Sequence, residues 1–179
     1  MTTPLSAVRV LLVDDNQHMR SIVATVLGGV GVQHLRECCD GAEALDALRQ
    51  WPADLAIVDF QMSPIDGVEF TRLVRNASDS PNPFLPIIML TGHAAKARVE
   101  EARDAGVTEF VVKPVTARAV LDRINAVILR PRSFVRTGEY FGPDRRRRQD
   151  PEFLGPWRRK GDDALVAAAA VAAAAKRQA

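Results

Sequence analysis

Cysteine is scarce in this chain: there are two, Cys38 and Cys39, and they are neighbours. Adjacent cysteines are poorly placed to bridge each other, and two thiols make no disulfide framework. No second Cys/His pair stands at ligand spacing, which argues against a zinc site. The three histidines, His18, His34 and His93, are scattered. Long apolar runs are also missing. The longest, Ala164–Ala175, is 12 residues of mostly alanine, well short of the ~20 that a membrane-spanning helix needs. Met1–Val8 lacks a basic stretch followed by an apolar core, so no secretory signal is expected. These absences point to a soluble cytoplasmic protein with no membrane insertion.

What is present is globular. Hydrophobic residues make up 47% and charged residues 26% of 179 residues, enough for one domain and an appendage. The net charge of +2 conceals an asymmetry. Residues 1–130 hold 13 Lys and Arg against 16 Asp and Glu, whereas residues 131–179 hold 11 against 6. An acidic body and a basic tail therefore call for separate readings.

Within the body, Val8–Val13, Gln33–Cys38, Leu55–Asp59, Ile87–Leu90 and Glu109–Val112 read as strands. Several are almost continuously apolar, as in a parallel sheet buried on both faces. Helical spacing separates them. Met19, Ile22, Val23, Val26 and Leu27 mark one face, and Ala44, Leu45 and Leu48 a second. Phe70, Leu73 and Val74 mark a third, and Val99, Ala102 and Ala105 a fourth. Val120, Leu121, Ile124, Val127 and Ile128 mark a fifth. Five βα units in about 130 residues predict an open, doubly wound α/β domain with five parallel strands and five flanking helices.

In such sheets ligands bind beyond the carboxyl ends of the strands, where the strand order reverses. Asp14 and Asp15 end the first strand, Asp59 the third, Thr91 follows the fourth and Lys113 the fifth. With the flavodoxin-like order 2-1-3-4-5, the first and third strands are neighbours and the three carboxylates converge. Such a cluster repels itself unless a cation offsets it. A hard divalent ion with oxygen ligands, Mg²⁺ above all, suits it. An aspartate there can act as a nucleophile toward phosphorus, with the Lys113 ammonium and Thr91 hydroxyl facing the phosphoryl oxygens. Each residue alone has a plainer explanation: a helix cap, a solvated lysine, a turn threonine. Together, on four strand ends, they form a site.

The segments Leu-Val-Asp14-Asp15-Asn, Val-Asp59-Phe-Gln-Met-Ser-Pro-Ile-Asp66-Gly67, Met-Leu-Thr91-Gly92 and Phe110-Val-Val-Lys113-Pro114 resemble the response-regulator receiver family. The resemblance runs from about Val8 to Leu129. It implies that Asp59 accepts phosphate from a histidine kinase or a histidine phosphotransfer protein. It implies Mg²⁺ on Asp14, Asp15, Asp59 and the backbone carbonyl of Gln61, with Lys113 on the phosphoryl group. It further implies a conformational switch at Thr91 and Phe110, and a cis bond before Pro114. One departure is Ser63, which displaces the proline that commonly follows Met in this loop. Gln61 and His93 occupy positions that influence phosphate lifetime in the family.

Rival readings are weaker. A haloacid-dehalogenase-like phosphatase needs an acid two residues after the nucleophile, where this chain has Gln61. A receiver joined to a DNA-binding domain needs amphipathic helices, but Pro131, Pro143, Pro151 and Pro156 interrupt the tail. The expected division is a receiver at 1–130, a flexible Arg/Pro/Gly-rich tail at 131–161 and an alanine-rich, helix-compatible segment at 162–179. Two tail segments, Tyr140-Phe141-Gly142-Pro143-Asp144-Arg145-Arg146 and Phe153-Leu154-Gly155-Pro156-Trp157-Arg158-Arg159, repeat one pattern. Tyr140, Phe141 and Trp157, with Arg145, Arg146, Arg147, Arg148, Arg158 and Arg159, are candidates for binding a downstream protein. Nucleic acid, held by the arginines and stacked on the aromatics, is the alternative.

Overall fold

The structure is a computed structural model and describes residues 5–92, 96–145 and 165–166. Strands β1 (Arg9–Val13), β2 (His34–Cys38), β3 (Leu55–Asp59), β4 (Ile87–Thr91) and β5 (Glu109–Val112) form a parallel sheet in the order β2-β1-β3-β4-β5. Helices α1 (Gln17–Gly29), α2 (Gly41–Gln50), α3 (Gly67–Asn76), α4 (Lys96–Ala105) and α5 (Ala117–Leu129) connect and flank them. This is the doubly wound domain that the strand runs predict.

The period-two alternation of the strands divides the core. Val10, Leu12, Leu55, Ile57, Ile88 and Leu90 pack with Val23 and Leu27 of α1 and with Val120, Ile124 and Val127 of α5. Leu11, Val13, Ala56, Val58 and Ile87 pack on the other face with Ala44 and Leu48 of α2 and Phe70 and Val74 of α3. Met89 meets Phe60, Val68 and, from α4, Ala102 and Ala105. Both faces are covered, so β3 and β4 are buried along their whole length. One side chain departs from the expected packing. Ile22 is 38% exposed, because the buried stripe of α1 is narrow and centred on Val23 and Leu27.

Four helices begin on side-chain caps. Asn16, Asp40, Asp66 and Thr116 each accept a backbone N–H from the first turn of the helix that follows, a device worth about 1 kcal/mol each. Asn16 and Asp66 also end the two loops that carry Asp15 and follow Asp59, fixing those loops to the helices.

The mostly irregular extension after residue 130 carries one short ordered feature. Strands β6 (Phe134–Arg136) and β7 (Phe141–Pro143) form an antiparallel hairpin, and β8 (Leu165–Val166) pairs with the other side of β6. Phe134 and Phe141 are buried and meet Phe84 edge-on, with ring centroids 5.3 and 5.2 Å away. Beside them lies Arg75, the largest fully buried side chain among the described residues. Its guanidinium donates to the carbonyls of Gly106 and Pro83 and lies 5.0 Å from the Phe134 ring centroid. Burial lowers its pKa to about 9, so it stays protonated at neutral pH. Two phenylalanines seat the hairpin because Phe84 and Arg75 pack against them. Outside the described residues lie the remainder of the expected alanine-rich helix at 162–179, His93, and the tail residues Arg146, Arg147, Arg148, Trp157, Arg158 and Arg159.

Candidate functional site

Because β1 lies beside β3, the residues that end these strands meet. Asp14 and Asp15 follow β1, Asp59 is the last residue of β3, Thr91 the last of β4, and Lys113 follows β5. One oxygen from each of Asp14, Asp15 and Asp59 lies within 4.8 Å of the others. Asp14 and Asp59 are buried while Asp15 is exposed, giving the cluster a wet side. The Lys113 ammonium is 2.8 Å from Asp59 Oδ1 and 3.7 Å from Asp14 Oδ2.

Asp14 is the most constrained of the three. Its Oδ1 accepts the Asn16 N–H at 2.8 Å. Its Oδ2 is buried without a hydrogen-bond partner among the described residues, an arrangement that native interiors avoid. Burial pushes its carboxyl above the usual range, the Asn16 N–H opposes this, and the Asp59 carboxylate adds to the rise. A buried, unbonded carboxylate oxygen facing two further carboxylates is the donor set of a hard divalent cation. These residues therefore fit Mg²⁺.

Backbone contacts hold the loop after Asp59. Phe60 N–H donates to the Leu90 carbonyl, and Gly67 N–H donates to the Phe60 carbonyl. At Gly67 the helix start passes so close that a Cβ would stand 2.3 Å from the Asp59 carbonyl oxygen, so only glycine fits. Lys113 N–H donates to the Thr91 carbonyl at 2.8 Å. The Lys113–Pro114 peptide is cis, as the resemblance implies, and so is Ser63–Pro64 in the loop that departs from the family pattern.

Asp59 opens onto a cleft of about 260 Å³ also lined by Gln61, Thr91, Lys113 and Arg98. Thr91 is buried at the cleft, whereas Phe110 is half-buried and packs against the Met89 cluster. Tyr140, Phe141 and Arg145 are not near the cleft. Tyr140 donates its hydroxyl to the Pro143 carbonyl, and Arg145 stacks on Tyr140 and pairs with Asp104 at 3.0 Å. Arg98 is a cleft residue that the sequence reading missed. It stands in the first turn of α4 with no motif around it, and only the fold brings it to Asp59.

A five-stranded doubly wound sheet with an acidic cluster, a lysine and a threonine at its carboxyl edge defines a receiver domain. Residues 10–125 match the response regulator receiver domain family, and the chain belongs to that family, whose members act in two-component signalling. It is 34% identical over 122 residues to the chemotaxis protein CheY of Pseudomonas aeruginosa, covering 68% of this chain and 97% of that one. It is 31% identical over 122 residues to the chemotaxis protein CheY-3 of Vibrio cholerae, covering 68% and 92%. Among solved structures, chemotaxis protein CheY4 of Vibrio cholerae superposes with a TM-score of 0.62 at 32% identity, covering 67% of this chain and 98% of that one. The matched region ends before the hairpin.

Proposed function

We propose that this chain is a phosphoacceptor response regulator. Asp59 receives a phosphoryl group from the phosphohistidine of a histidine kinase or phosphotransfer protein in the cytoplasm. The 2.8 Å contact between Lys113 Nζ and Asp59 Oδ1, inside the three-carboxylate cluster, carries this reading.

An Asp59 carboxylate oxygen attacks phosphorus and forms the P–O bond of an acyl phosphate. The P–N bond to the donor imidazole breaks, and the imidazole keeps the electron pair and takes up a proton. Asp14, Asp15, Asp59 and the Gln61 carbonyl would hold Mg²⁺, which would supply charge neutralisation at the phosphoryl oxygens. Lys113 transfers its contact from the carboxylate to a phosphoryl oxygen, and the Thr91 hydroxyl donates to another. Drawing Thr91 inward frees space beside Met89 for the Phe110 ring and shifts the population of the α4–β5–α5 surface toward a form that a downstream protein binds. The signal ends by slow hydrolysis of the acyl phosphate, so the chain acts as a signalling phosphoprotein rather than a turnover enzyme. The arginines at 146–148, 158 and 159, with Trp157, serve the downstream contact.

The test is labelling with a small phosphodonor and Mg²⁺. The expected product is a hydroxylamine-labile phosphate that is lost in Asp59→Asn. Equal labelling of that variant rules the assignment out.

A further inference from the structure

Arg98 carries no role in the scheme above, yet it lines the same cleft as Asp59, Thr91 and Lys113. Its guanidinium lies 5.2 Å from the ring centroid of Phe60, the residue directly after Asp59. Stacking on an aromatic face leaves the N–H edges of a guanidinium free to meet an anion. The acids of α4 are otherwise engaged: Glu100 with Lys96, Glu101 with Arg72 and Asp104 with Arg145. Among the described residues no carboxylate pairs with Arg98.

The charge of the pocket gives this cation a purpose. Three carboxylates against one divalent ion and the Lys113 ammonium leave a neutral site, to which an incoming phosphoryl donor adds negative charge. A planar guanidinium meets phosphate oxygens two at a time, which an ammonium cannot do. We propose that Arg98 is a phosphodonor-binding residue, holding the anionic phosphoryl group at the mouth of the cleft before transfer to Asp59. This rests on the phosphoacceptor reading.

The experiment uses the full chain with Mg²⁺ and follows the rate of Asp59 phosphorylation against donor concentration. Two donors are compared, acetyl phosphate and the less highly charged phosphoramidate. Arg98→Ala is expected to raise the half-saturating concentration of acetyl phosphate roughly three- to tenfold. The rate at saturation should stay within about twofold, because the residue binds the donor and leaves the transfer step alone. The effect should be smaller with phosphoramidate, and Arg98→Lys should restore part of it. An unchanged half-saturating concentration overturns the inference. So does an equal loss with both donors that lysine fails to rescue, since that pattern belongs to a residue merely supporting Phe60 and α4. Wild-type protein that takes no Asp59-dependent phosphate from either donor overturns the phosphoacceptor reading, and this inference with it. Labelled wild type with an unaltered Arg98→Ala profile overturns this inference alone.

Discussion

Gly142 of the hairpin lies against Gly106 of the turn between α4 and β5, so closely that a Cβ on Gly142 would stand 2.9 Å from the Gly106 Cα. The same Cβ would meet the Tyr140 hydroxyl at 2.6 Å, and Gly106 itself holds a positive φ of 103°. The Gly-Pro pattern of the tail is thus a packing requirement in its first copy. Gly142→Ala should lift the hairpin from the receiver and lower stability by about 1–3 kcal/mol, measurable by chemical denaturation.

Phe134→Ala should cost more, about 3 kcal/mol, because it empties the space between Phe84, Phe141 and the Arg75 guanidinium. Truncation after Arg130 should lower the melting temperature for the same reason, since it uncovers Phe84 and hydrates Arg75. A truncated chain as stable as the full one would show that the hairpin adds no stability.

Gly67→Ala should leave the sheet folded but displace the Asp59 carbonyl, which a Cβ would meet at 2.3 Å. The loop after Asp59 then moves relative to Lys113. Phosphorylation should fall at least tenfold, as small displacements of reacting groups do, while far-ultraviolet circular dichroism stays near that of the wild type.

Asp14→Asn should raise the melting temperature of the metal-free protein at neutral pH by a few degrees. The folded-state pKa of Asp14 lies above its ordinary value, chiefly through burial, so ionised Asp14 opposes folding above that raised value. The gain should vanish as the pH falls below the ordinary carboxylate range, about 4, where both states bind the proton. Mg²⁺ should then raise the melting temperature of the wild type and leave that of the variant nearly unmoved. An Mg²⁺ response of equal size in both would remove Asp14 from the ligand set.

Cys38 and Cys39, adjacent in sequence, should separate in reactivity. Cys38 is buried and its thiol is pushed up to about 12, mainly by burial, whereas Cys39 is exposed. The thiolate is the reactive form, so Cys38 should resist alkylation at pH 8 until the protein unfolds. Cys39 should react in the native state, more slowly than a free cysteine, because the Glu43 carboxylate raises its thiol pKa. Peptide mapping after a timed alkylation reads both.

The sheet order and the pocket were legible because they rest on local signals. The apolar runs ending in Asp14, Asp59 and Thr91 carry their own strand pattern, and the parallel order follows from helices between strands. Arg75 was not legible. An arginine near the end of an amphipathic helix reads as solvated, and nothing local says that Gly106, Pro83 and Phe134 will close around it. Arg98 is similar, since its meaning comes from Phe60, far away in sequence. The hairpin was not legible either, because Phe134 and Phe141 take their packing from each other and from Phe84, about 50 residues earlier in the chain.

The hairpin also has a fixed address on the sheet. Pro83 and Gly106, which hold Arg75, precede β4 and β5, so the docking point lies at the amino-terminal pole of the sheet. The carboxylates lie at the other pole, a strand length of roughly 16 Å away. Arg145, paired with Asp104 at 3.0 Å, fixes the end of the hairpin at that pole. A fluorophore attached at the hairpin turn, between Thr137 and Tyr140, therefore sits behind the domain and leaves the cleft at Asp59 unobstructed.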